Sequence, residues 1–239
     1  MKSSALLCAL ALALGASAAQ AASVEAFDNR TIQPTGARTG TSGVNFFNIE
    51  GSDNGNYASY GVARFDLSAL KAGFDATYGV GLWVVDSIAL ELTQSNAGFT
   101  TDGGVNVYFS DIDAPAISDM ALKYDFTGDF ADATHIVGYA FSEIATGTVE
   151  SHNLFNRAKG NTAGGLALAA DILTDYTVTL ALVDADNSVA ATYAGYSNST
   201  YAGPTLVVNV SAVPEPESYA LMLAGLGLVG AIARRRARG

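Results

Sequence analysis

The feature that most constrains this chain is a period-two alternation of apolar residues. It runs through Ile88-Ala89-Leu90-Glu91-Leu92-Thr93, Val105-Asn106-Val107-Tyr108-Phe109 and Tyr176-Thr177-Val178-Thr179-Leu180-Ala181-Leu182. Successive side chains of a strand point to opposite faces, so each run turns its larger apolar residues toward a single core. Residues 62–67, 135–141, 165–170 and 206–210 read as further strands, and no part of the body carries a long helical stripe. Clusters of Gly, Asn, Asp and Ser at residues 50–56, 94–104 and 156–165 read as loops between them. Many short strands separated by such turns predict an all-β fold: a β-sandwich and, within that class, a jelly roll.

Both ends of the chain differ from this body. Met1-Lys2, an apolar run over residues 5–14 and Ala19-Gln20-Ala21 form the charged, apolar and small-residue parts of a secretory signal peptide. Cleavage is expected after Ala21, by signal peptidase following general secretion. The sole cysteine, Cys8, lies inside that run, so the mature chain has no thiol or disulfide chemistry. At the other end come Val213-Pro214-Glu215-Pro216, then fifteen residues without a charge at 219–233, then Arg234-Arg235-Arg236-Ala237-Arg238-Gly239. Two prolines that cannot donate backbone hydrogen bonds separate this tail from the sheet before it. As a helix the run spans about 22 Å, short of the roughly 30 Å hydrocarbon core. Tyr219 and the arginines extend its reach to the two interfaces, with Arg234, Arg235, Arg236 and Arg238 flanking the membrane on the cytoplasmic side. A transmembrane helix is therefore expected here, against the alternative of a C-terminal helix buried in the domain. The resulting division is a signal peptide and its helix at residues 1–21, a β-sandwich domain at 22–212 and a tail at 213–239.

The order Pro-Glu-Pro, short apolar segment, arginine cluster resembles the PEP-CTERM sorting signal of Gram-negative bacteria. The resemblance implies recognition by an exosortase-type membrane protease, with processing around Val213, Pro214, Glu215 and Pro216. It also implies a transient inner-membrane anchor followed by delivery to the cell surface or an extracellular matrix. Tails of this kind are sometimes labelled as ice-binding, but the body has neither a regular threonine ladder nor a repeated flat face. A second resemblance lies in the body. Gly61-Val62-Ala63-Arg64-Phe65-Asp66-Leu67-Ser68-Ala69-Leu70, the strand at 87–93 and the closing Ala202-Gly203-Pro204-Thr205-Leu206-Val207-Val208-Asn209-Val210 are similar to segments of the DNRLRE jelly-roll domains. That family occurs on secreted proteins, and some of its members bind carbohydrate. Gly203 stands where the family often has arginine, which departs from its pattern.

The formal net charge of −11 argues against nucleic acid or anionic lipid as a partner, since both are repelled by such a surface. Two histidines, His135 and His152, lack the spacing of a metal site or a catalytic pair and read as ordinary strand residues. There is no Gly-x-Ser-x-Gly elbow and no phosphate-binding glycine loop. Asp111-Ile112-Asp113 and Asp184-Ala185-Asp186-Asn187 each place two carboxylates at alternating loop positions, as Ca2+ requires. Equally, they read as acidic turns capping strand ends. For a glycan, whose apolar face stacks on a flat ring, the candidates are Trp83, Tyr193, Tyr196 and Tyr201, with Tyr57 and Tyr60 beside other loops. The expectation is an exported, non-catalytic protein of the cell surface or biofilm matrix, associated with exopolysaccharide. The alternative is a secreted enzyme that degrades polysaccharide.

Overall fold

The alternating runs form the interior of two antiparallel sheets in a computed structural model that describes residues 19–112, 114, 116–213 and 216–236. The smaller sheet has the order β1 (Gln20–Glu25), β12 (Thr205–Ala212), β6 (Trp83–Thr93), β9 (Val149–Asn156). The larger has the order β3 (Gly36–Ala37), β2 (Asp28–Gln33), β5 (Tyr60–Asp66), β10 (Thr177–Asp184), β7 (Gly103–Ser110), β8 (Thr134–Phe141). Ile88, Leu90, Leu92, Leu206, Val208 and Val210 from one sheet meet Ala63, Phe65, Val105, Val107, Val178, Leu180 and Leu182 from the other in one buried cluster. This is a β-sandwich core, to which each fully buried Leu, Ile, Val or Phe adds about 1.5–3 kcal/mol.

The outer face of the larger sheet is not left to solvent. Ile117, Met120 and Phe130, from the connection between β7 and β8, pack on Ile32, Tyr60, Val62 and Ala181. Covered on both faces, β5 and β10 are buried almost throughout. Arg64 on β5 is buried there, its Nε donating to Thr179 Oγ1 at 3.3 Å and its guanidinium 5.3 Å from the Phe27 ring centroid.

A two-stranded ribbon of β4 (Phe46–Glu50) and β11 (Ala190–Ala194) lies across one end of the sandwich. Single bridges tie Glu50 to Ser59 just before β5, and Tyr193 to Gln94 just after β6. Its inward residues Phe47, Ile49, Ala191 and Tyr193 are buried in the main core. The tip of the Phe47 ring packs against Gly61, where a Cβ would lie 2.6 Å from Cζ.

Four helices occur among the described residues: α1 (Thr41–Asn45), α2 (Ser68–Tyr78), α3 (Ala163–Thr174) and α4 (Pro216–Arg236). The third corrects the sequence expectation, which made 165–170 a strand. Thr162 Oγ1 caps it by accepting from Gly165 N–H at 3.2 Å, and Leu168 and Ile172 turn one face into the core. Gly164 lets its first turn press on β8, for a Cβ there would lie 2.4 Å from the His135 carbonyl oxygen. Alanine and leucine favour the helix, while the two glycines at its start blur the apolar stripe in the sequence.

The signal segment lies outside the described residues up to residue 18, and Gln20 and Ala21 pair with Val210 and Asn209 at the start of β1. Cleavage at the expected position after Ala21 would trim β1 and leave Ala22 to pair with Val208 and Glu25 with Thr205. The tail does form a helix, α4, but among the described residues no helix is long and apolar enough to cross a membrane. The transmembrane helix expected over residues 219–233 is thus not upheld. Its uncharged run holds only fifteen residues, three of them glycine, and arginines follow at once.

Candidate functional site

The solvent side of the β4–β11 ribbon floors a cleft of about 540 Å³. Alternation along β4 sends Phe47 and Ile49 into the core and leaves Phe46, Asn48 and Glu50 to line the cleft. Across the ribbon Asn48 pairs with Thr192 and Glu50 with Ala190, and both partners also line the floor. Asn48 organises the polar groups. Its Nδ2 donates to Thr192 Oγ1 at 2.9 Å and to Glu50 Oε1 at 3.2 Å, and its Oδ1 accepts from Arg38 Nη1 at 3.1 Å. Its backbone N–H donates to Thr31 Oγ1 at 3.1 Å, which anchors the network to β2. Burial pushes the Glu50 carboxyl above its usual range, opposed by the nearby Arg38 charge and the Asn48 hydrogen bond.

Two aromatic rings rise from the rim. Tyr57 is 63 % exposed and Phe99 is 77 % exposed, in a protein whose other large rings mostly face the cores. Tyr57 ends a 3-10 turn (Ser52–Tyr57) held by Asn54 Nδ2, which donates to the carbonyls of Gly51 and Val189 at 3.0 Å each. Phe99 follows an Asx turn in which Asn96 Oδ1 accepts from Gly98 N–H at 2.8 Å. Thr101 then bridges to Ala190 on the floor. Flat apolar faces above fixed donors and acceptors suit a ring-shaped polyol, whose C–H face stacks while its hydroxyls hydrogen-bond. Among the described residues, Glu50 is the one acidic group lining the cleft.

The aromatic residues singled out in the sequence lie elsewhere. Trp83 is 4 % exposed, donates from Nε1 to Asp75 Oδ1 at 2.7 Å and packs its ring 5.1 Å from that of Phe74. Tyr193 is fully buried, its hydroxyl 3.0 Å from Glu150 Oε2 and 3.2 Å from the Tyr139 hydroxyl. Neither can offer a ring face to a ligand, which corrects the expectation for both. Tyr196 and Tyr201 are half-buried and outside the cleft; Tyr196 N–H donates to Asn29 Oδ1 at 2.6 Å, and the Tyr201 ring covers Gly147. Tyr57 alone joins the cleft. Phe99, Asn48, Glu50, Arg38 and Thr192 went unnoticed, although a lone phenylalanine inside the polar stretch 94–104 was a usable signal.

The carboxylates regroup in a similar way. Asp186 is a turn cap: it accepts from the N–H groups of Gly104, Ser188 and Val189, and these bonds, that from Gly104 foremost, hold its pKa down. Asp184 is half-buried, and desolvation raises its pKa. Asp113 lies outside the described residues. Asp111 meets Asp171 and Asp175 from the end of α3, with one oxygen of each within 4.8 Å of the others. Asp111 and Asp171 border a second cavity of about 370 Å³, with Asp132 and Thr134. Three carboxylates can begin the oxygen shell of a hard cation such as Ca2+, which takes six to eight ligands. The histidines are structural: His135 packs edge-on to Tyr108 and His152 stacks on Tyr139.

Gly203 sits where the backbone leaves no room for a side chain. A Cβ there would lie 2.8 Å from Tyr196 Cα and 3.0 Å from the Gly195 carbonyl carbon, and the Gly203 N–H donates to Glu25 Oε1 at 2.6 Å. No side chain fits.

At the tail, β12 runs to Ala212 and Val213 N–H donates to the Leu82 carbonyl at 2.8 Å. Pro214 and Glu215 lie outside the described residues, as does Arg238; Pro216 opens α4, Arg236 closes it, and Arg234 and Arg235 are exposed. No curated protein matches the chain. Residues 212–237 match the family described as the PEP-CTERM protein-sorting motif, which implies export through an exosortase system and membrane-associated processing. The prolines, apolar run and arginines beyond the last strand therefore form a tail that matches the PEP-CTERM protein-sorting motif.

Proposed function

We propose that the protein is a non-catalytic component of the Gram-negative cell surface or biofilm matrix, which holds exopolysaccharide in the β4–β11 cleft. One observation carries this reading: Tyr57 and Phe99 stand exposed in a cleft whose hydrogen-bonded floor is built from Asn48, Glu50, Arg38 and Thr192. Signal peptidase removes the leader, and an exosortase-type protease processes the tail. The carrier is a jelly roll. Its support is the strand order, in which β1-β12-β6-β9 and β5-β10-β7-β8 interleave as two wound Greek keys do.

The test is retention of the full-length protein on the producing cell's own exopolysaccharide, for the wild type and for Tyr57→Ala with Phe99→Ala. Both rings are exposed, so their removal leaves the core intact and retention should fall by roughly tenfold. The polymer should keep its length. Shortening of the polymer would mean the alternative, a polysaccharide-degrading enzyme, and unchanged retention by the double variant would move binding away from this cleft.

A further inference from the structure

Resting on that reading, the geometry points to a selectivity: the cleft takes neutral polysaccharide chains and rejects uronic ones, and Glu50 is the group that discriminates. Glu50 Oε1 is engaged by Asn48, while Oε2 accepts no hydrogen bond among the described residues and remains for a ligand. A carboxylate accepts only, so it bonds a sugar hydroxyl and repels a sugar carboxylate.

Arg38 does not reverse this preference. Its Nη1 is already donated to Asn48 Oδ1, and its charge is offset by Glu50 itself. Around the floor the remaining charge is negative. Asp53 follows two residues after Gly51, and its N–H donates to the Asn187 carbonyl at 2.9 Å. The acidic turn Asp184-Ala185-Asp186-Asn187 packs so closely on Gly51 that a Cβ there would lie 2.4 Å from the Asn187 oxygen. The whole chain carries −11, so a polyanion is opposed at long range as well as in the cleft. Arg38 is better suited to donate to the neighbouring hydroxyl of the one that Glu50 holds. The pair then reads two adjacent hydroxyls of one sugar ring, while Tyr57 and Phe99 stack on its C–H face.

The experiment measures affinity electrophoresis of the full-length protein through gels containing dextran, mannan or laminarin as neutral probes and polygalacturonate or alginate as uronic ones. At least one neutral polymer should retard the wild type at least tenfold more strongly than either uronic polymer. Glu50→Gln, which keeps the shape and removes the charge, should weaken that neutral binding by roughly tenfold and bring the two classes within about threefold of each other. Tyr57→Ala with Phe99→Ala should weaken neutral binding by roughly tenfold while the thermal unfolding midpoint stays unchanged. Equal retardation by both classes, weakened in the double variant, would overturn the selectivity and leave the binding function standing. A selectivity untouched by Glu50→Gln would overturn the role of that residue. No retardation by any polymer, or retardation undiminished in the double variant, would remove the binding site itself and this inference with it.

Discussion

Acid should weaken this fold through His152. The ring is half-buried on β9, stacked on Tyr139 with centroids 3.7 Å apart, and its Nε2 is buried with no hydrogen-bond partner among the described residues. Desolvation lowers its pKa from 6.5 to about 4. The unfolded chain therefore takes up a proton as pH falls through about 6.5, while the folded chain refuses it until about pH 4. Stability is full above that upper value and declines through the interval below it. Between pH 7.5 and 5 the ceiling is about 2 kcal/mol, at about 1.4 kcal/mol per unit; partial exposure of the ring to screening solvent reduces this to about 1 kcal/mol. Glu50, Glu150 and Asp184 act in the opposite sense, because burial raises their pKa values and they gain protons first in the folded state. Comparison with His152→Phe, which keeps the stack on Tyr139, isolates the histidine. Urea unfolding at the two pH values should show the wild type losing about 1 kcal/mol more than the variant. Equal losses in the two proteins would refute the argument.

Gly203→Arg should destabilise the protein by about 3 kcal/mol or more, since the backbone of Gly195 and Tyr196 has to move. Differential scanning calorimetry would then record a midpoint lower by about 6–12 °C. Trp83→Phe should cost about 1–2 kcal/mol by leaving Asp75 without its Nε1 donor, yet leave polysaccharide retention unchanged. Retention that falls with this variant while stability holds would restore tryptophan to the binding surface.

Much of the sandwich was legible because its signal is local. Ile88, Leu90 and Leu92, or Val105, Val107 and Phe109, face the core in the alternation in which they are written. Helix α3 was not legible, because its residues 165–170 are small and apolar without a strong period, and only the Thr162 cap and the close approach to β8 reveal what they do. The aromatic candidates failed for a different reason. Trp83 and Tyr193 belong to strands whose buried faces are set by partners far along the chain, while Phe99 is displayed by a loop with no pattern of its own.

The sequence by itself determined the strand periodicity and the sorting motif of the tail. Both are contiguous signals: alternation is read within a few residues, and the prolines, apolar run and arginines of the tail follow one another without interruption. Only the tertiary structure decided where a ligand can sit. Arg38, Asn48, Tyr57, Phe99 and Thr192 come from separate segments, and they converge because β4 pairs with β11 across the end of the sandwich. The same packing chose which carboxylates meet, joining Asp111 to Asp171 and Asp175 and leaving Asp186 to cap a turn. Proximity in the fold is set by long-range burial and pairing, which no local pattern encodes.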